Sequence, residues 1–65
     1  MHDMLIYLKE TLDEQDAVMV HLNTGTARWI RKIEEIYDDK WIRVLDVNDT
    51  DYYLINMDYV VQVEL

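Results

Sequence analysis

Sixty-five residues, 51% of them hydrophobic and 31% charged, make one small domain rather than a disordered tail or a membrane protein. Fourteen acidic residues against six basic ones give a formal net charge of −8, which argues against coating nucleic acid by bulk attraction. Cysteine and serine are both absent, which excludes disulfides, thiolate chemistry, Cys-ligated zinc and serine nucleophiles together.

A domain of this length draws at most roughly 3–5 kcal/mol from its own core, and small folds usually add disulfides, metals or partners. With no cysteine but two Trp and five Tyr, the stabiliser to expect is oligomerisation. The early apolar run Met4 to Leu8 is too short to span a bilayer and lacks the basic flank of a signal peptide. The expectation is a cytoplasmic chain of one domain, residues 1–65, with no membrane partner. Charge is segregated: all bases except Lys9 fall between residues 28 and 45, and residues 46–65 carry five acids and no base.

The spacing of Leu5, Leu8 and Leu12, with Met4 and Met1 beside them, predicts a helix over 3–13, with Asp3 placed to cap it. Ala17 to Leu22 alternates as a half-buried strand, Val18, Val20 and Leu22 against Met19 and His21. Asn23-Thr24-Gly25-Thr26 is a turn around the only glycine. Ala27 to Tyr37 is ambiguous. Trp29, Ile33, Ile36 and Tyr37 fit helical spacing, whereas a strand pairs Trp29, Arg31 and Ile33 on one face and needs a bulge near Glu34. Trp41 to Val47 is a strand, Asn48-Asp49-Thr50-Asp51 a turn, and Tyr52 to Met57 a strand apolar on both faces. Asp58 breaks it, and Tyr59 to Leu65 forms a last strand with Tyr59, Val61, Val63 and Leu65 on one side and Val60 opposite. Such two-faced terminal strands call for a cover from outside the chain.

A helix followed by about five strands in a meander resembles the Sm-like family, the LSm and host-factor-Q type of proteins. The residues that carry the likeness are Val18-Met19-Val20-His21-Leu22-Asn23-Thr24-Gly25, then Ile30 to Tyr37, Asp38-Asp39-Lys40 and Trp41 to Leu45. Leu54-Ile55-Asn56-Met57-Asp58-Tyr59-Val60-Val61-Gln62-Val63 resembles the second motif. The resemblance implies a mainly β fold, a five-stranded, bent, antiparallel Sm-like or SH3-like small barrel over 17–65 with an N-terminal helix, and makes Ala27 to Tyr37 its long bent second strand. It also implies a homo-oligomeric ring, pentamer to heptamer, in which the fourth strand of one subunit pairs with the fifth strand of the next. Tyr53, Ile55, Met57, Tyr59, Val61 and Val63 are the expected interface.

By the same resemblance the function is RNA binding at a ring face, through Tyr37, Lys40, Trp41, Asn56 and Asp58. Tyr37 or Trp41 would stack on a base, Lys40 meet phosphate and Asn56 read a base edge. Where the family carries Arg-Gly or Tyr-Lys-His in its second motif, this chain has Asn56-Met57-Asp58, with no charge to meet phosphate. The alternative is a structural or protein-interaction ring whose acidic surface docks basic partners. Catalysis has no support, since no phosphate-binding glycine loop or nucleophile motif is present. Neither His2 nor His21 has metal-ligand spacing, and no cofactor is expected. Asp46 to Asp51 resembles a calcium loop superficially, but it lacks the mid-loop glycine and has Met57 where a bidentate Glu belongs, so it reads as a solvated hairpin turn.

Overall fold

Leu5 and Leu8 are fully buried, with Met4 and Leu12 packed beside them, so the predicted apolar stripe is the inward face of helix α1 (Asp3–Glu14). Thr11 is buried on the same face, and its hydroxyl is satisfied by donating to the Tyr7 carbonyl at 2.8 Å. Asp3 is the first residue of the helix rather than the cap ahead of it, and there its charge suits the helix N-terminus. This computed structural model describes residues 3–65; Met1 and His2, including the place given to Met1 beside the stripe, lie outside them.

Five strands follow: β1 (Val18–Leu22), β2 (Ala27–Tyr37), β3 (Trp41–Asp46), β4 (Tyr52–Asn56) and β5 (Val60–Glu64), with a 3-10 turn at Met57–Tyr59 before β5. The fold is mainly β, one antiparallel sheet in the order β4-β3-β2-β1-β5 with the helix packed against it. Tight turns join the first four strands. Gly25 has φ +89 in the β1–β2 turn, where Leu22 N donates to Thr26 O at 2.8 Å and Gly25 N to Leu22 O at 3.0 Å.

The ambiguous segment 27–37 is strand throughout, and its register explains the helical spacing. Ile30, Ile33 and Ile36 all face the core side, three residues apart. A plain strand cannot do that, because its side chains alternate with period two. The register of β2 against β3 shifts between Ile30 and Lys32 and again between Ile33 and Glu35, so two bulges each insert one residue between inward isoleucines. The bulge expected near Glu34 is there. The second, at Arg31, is additional, and it turns Ile30 inward instead of Trp29.

A third irregularity corrects the last strand. β5 pairs with β1 as Val20↔Val63 and His21↔Gln62, and then steps to Leu22↔Val60. Val61 is the extra residue. The step breaks the expected alternation: Val60 and Val63, expected on opposite sides, both face the core, while Val61 and Leu65 are exposed. The sheet bends over a core of Leu5, Leu8, Val18, Val20, Ile30, Ile42, Val44, Ile55, Met57 and Val60. Its curvature brings Arg28 of β2, on the same face as Val20, 4.4 Å over the ring of Tyr53 two strands away.

Candidate binding face on the outer side of the sheet

The register places the expected nucleic-acid residues together. Tyr37 pairs with Trp41 across β2–β3, and Trp41 pairs with Asn56 across β3–β4, so the three form one row on the outer face. Lys40 lies in the turn at the end of that row, and its carbonyl accepts from Met57 N at 2.6 Å, which holds Asp58 beside it in sequence. Tyr37, Lys40 and Asp58 are exposed, and Trp41 and Asn56 are half-buried. Asn56 has a task within the fold: its side-chain oxygen caps the 3-10 turn by accepting from Asp58 N at 2.9 Å.

The turn before Lys40 is unusual. Asp38 and Asp39 have φ of 54 and 58, and Lys40 N donates to Tyr37 O at 3.1 Å. Two successive left-handed residues closing such a bond are the pattern of a type I′ hairpin turn, for which Asn-Gly is the comfortable sequence. Here two like-charged Asp residues occupy it.

Two further rows lie below the first. Glu35, Arg43 and Leu54 form one, and Lys32, Leu45 and Tyr52 the other. Sequence reasoning offers Arg43 only as one of five bases that could lend local positive charge, and does not single out Leu45, Tyr52 or Leu54 as site residues. Leu54 is 59% exposed and Tyr52 58%. Arg43 sits at the centre, hydrogen-bonded through Nη2 to Glu35 Oε1 at 3.1 Å and 5.7 Å over the Tyr52 ring. Its Nε is buried with no hydrogen-bond partner among the described residues. The Glu35 carboxylate also raises the Tyr37 pKa above its usual 10.0, first through side-chain hydrogen bonding, with burial and the Glu35 charge adding and Arg43 opposing.

The expected interface residues divide by face. Ile55 and Met57 are in the subunit's own core, Tyr53 and Val63 pack against it, and only Tyr59 and Val61 are exposed. The exposed apolar side chains of β4 are its other set, Tyr52 and Leu54. What settles the parity is the pairing of Tyr53 with buried Val44 and of Ile55 with buried Ile42, a register that the two-faced sequence of β4 does not announce.

Most bases near this face already have carboxylate partners. Arg31 is bonded to Asp49, Lys32 Nζ is 3.5 Å from Glu34, and Arg43 meets Glu35. At the β1–β5 end of the sheet His21 Nε2 meets Glu64 Oε1 at 2.7 Å, tying β5 to β1. Asp46 is buried at the inner end of the β3–β4 turn and organises it, accepting from Thr50 N at 3.0 Å, Asp51 N at 3.4 Å and the Thr50 hydroxyl at 3.3 Å. These bonds, led by Thr50 N, hold its carboxyl below the usual 3.8. The segment that resembles a calcium loop thus uses its first carboxylate as a turn anchor. Among the described residues no group of three or more His, Asp or Glu could hold a metal ion, and no helix is long and apolar enough to cross a membrane.

Compared with protein families, curated proteins and solved structures, the chain matches none of them.

Proposed function

We propose that this chain is a non-catalytic subunit of a homo-oligomeric, Sm-like ring in which the free edge of β4 on one copy pairs with the free edge of β5 on the next. The observation that carries the reading is that the sheet ends in two unlike, unpaired edges, both flanked by exposed apolar side chains: Tyr52 and Leu54 on β4, Val61 and Leu65 beside β5. Such an edge is a template for another strand, and proteins that stay monomeric charge it or cover it. β4 carries no charged residue, and the one charge on β5, Glu64, is engaged by His21. Pairing of unlike edges is head-to-tail, which closes into a ring when the rotation permits.

The ring would present the outer face of β2–β3–β4 to a macromolecule. Local charge supports a basic protein over RNA there, because Asp38, Asp39 and Asp58 stand around Lys40. RNA is the second reading, supported by the Tyr37–Trp41–Asn56 row. A stacked base is worth roughly 1–3 kcal/mol. One phosphate contact, through Lys40, would give a salt slope of only about −0.7 per site.

Light scattering coupled to size exclusion tests the assembly. The expected mass is a multiple of 7.9 kDa. Val61 is 63% exposed in the subunit, so Val61→Asp should lower the mass while leaving the circular dichroism spectrum unchanged. A parent protein that elutes as a single 7.9 kDa particle at micromolar concentration refutes the ring.

A further inference from the structure

We infer that the outer face of β2–β3–β4 docks an extended protein segment that is apolar in its middle and basic at both ends. It rests on the reading of this face as a protein-docking surface, to which it adds the partner's shape and charge pattern, and it needs the face of one subunit rather than the ring.

The middle of the face is apolar and locally neutral. Leu54 and Tyr52 are more than half exposed, Leu45 and Trp41 lie beside them, and the two cations among them, Lys32 and Arg43, are engaged by Glu34 and Glu35. A half-buried Trp with exposed Tyr and Leu around an engaged Arg is the composition of an interface centre rather than of a solvated surface. The ends are acidic. Asp38 and Asp39 lie beyond Tyr37 at one end, and Asp51 precedes Tyr52 at the other. β4 runs five residues between these ends, which at ~3.4 Å per residue is roughly 14–17 Å. An extended segment of about five residues spans that distance, so basic side chains five or six positions apart would meet both acidic ends at once. Charge complementarity selects such a segment over RNA, whose phosphates would face the same carboxylates. Side-chain docking on the face leaves the backbone edge of β4 to a neighbouring subunit.

The test uses the full chain with Trp29→Phe, so that Trp41 is the only tryptophan. It is titrated with a short capped peptide bearing paired lysines at each end and three alternating valine and leucine residues between them. The comparison titrants are the same peptide with glutamates for lysines, and an oligouridine of similar length. The lysine peptide should shift the Trp41 emission to the blue with saturation. Asp38→Asn with Asp51→Asn should weaken its affinity about three- to tenfold, the size expected for two exposed charge contacts. Leu54→Ala should weaken it too, without changing the circular dichroism spectrum. Equal binding of the glutamate peptide, tighter binding of the oligouridine, or no saturable shift with the lysine peptide overturns the inference. The mass of the protein, read separately by light scattering, reports on the ring, so failure of either idea is seen apart from the other.

Discussion

Replacing Asp38-Asp39 by Asn-Gly should stabilise the protein. Both residues hold positive φ, 54 and 58, inside a hairpin closed by the Lys40 N to Tyr37 O bond. A left-handed conformation costs an L-residue roughly 1–2 kcal/mol, and less for Asp, whose side chain can bond locally, so the pair stores about 1–2 kcal/mol. Glycine at position 39 removes its share, and asparagine at 38 lowers the other and relieves the repulsion of adjacent carboxylates. Against this, glycine frees the unfolded chain by about 0.4–1 kcal/mol. The net gain is about 0.5–1 kcal/mol, which raises the melting temperature of a domain this size by about 2–8 °C. Thermal denaturation followed by circular dichroism, at one fixed protein concentration because the proposed assembly would shift the midpoint, is the assay. Asp39→Ala is the control of opposite sign, since it keeps a Cβ at positive φ and loses the local hydrogen bonding of Asp. An Asn-Gly variant that melts at or below the parent, or an Asp39→Ala variant that melts no lower, refutes the reasoning. The same exchange removes one acidic end of the proposed docking face, so stability should rise while peptide affinity falls. That opposition is what strain kept for a binding task produces.

Asp46 gives a pH dependence of known sign. Its folded pKa is depressed below 3.8, so the stability it lends is fully present above that value and is lost as pH falls through the depressed folded value. Asp46→Asn should therefore melt lower than the parent at neutral pH, with the gap narrowing below about pH 4; a gap that stays constant down to pH 2 contradicts the assignment. Met57 is fully buried between β4 and β5, and Met57→Ala should cost about 2–5 kcal/mol, comparable with the whole core contribution of a domain this size. Loss of dispersed amide resonances would report it, and a variant with parent-like dispersion and midpoint would remove Met57 from the core. Tyr59→Ala, at an exposed site in the same turn, should change subunit stability by less than about 0.5 kcal/mol in the same assay.

Where the local pattern had a single period, the sequence sufficed. Val18 and Val20 alternate into the core, Gly25 takes the positive φ of its turn, and Ile42 and Val44 face inward from a strand bounded by turns. Where the local pattern misleads within β2 and β5, the cause is the bulge. Isoleucines at 30, 33 and 36 mimic a helix because two inserted residues stretch the strand period from two to three; the need to keep Ile36 inside points to the bulge at Glu34, whereas nothing marks Arg31 as the other inserted residue. The extra residue at Val61 likewise breaks the alternation of β5, so that Val63 turns to the core with Val60 while Val61 stays outside. The candidate site was legible where it lies close to a turn: Tyr37, Lys40 and Trp41 are near in sequence and remain near in space. Leu54 and Tyr52 belong to the same face only through the register of β4 on β3, a non-local fact.

Asn56 and Met57 explain why the two edges stay open. Strands as close in sequence as β4 and β5 would ordinarily form a hairpin and pair with each other, closing both edges within one subunit. Instead the Asn56 side chain caps a single 3-10 turn, Met57 is driven into the core, and Val60 N donates to Met57 O, so the chain leaves β4 at once and crosses to β1. Asn23 N fixes the crossing by donating to Tyr59 O at 2.8 Å. The asparagine oxygen expected to read a nucleobase is thus spent on separating β4 from β5. The chain trades an internal hairpin for two unlike edges and the exposed Leu54, Tyr52 and Val61 beside them, an exchange that costs an isolated 65-residue domain and that pairing with another copy, as in the proposed ring, would offset.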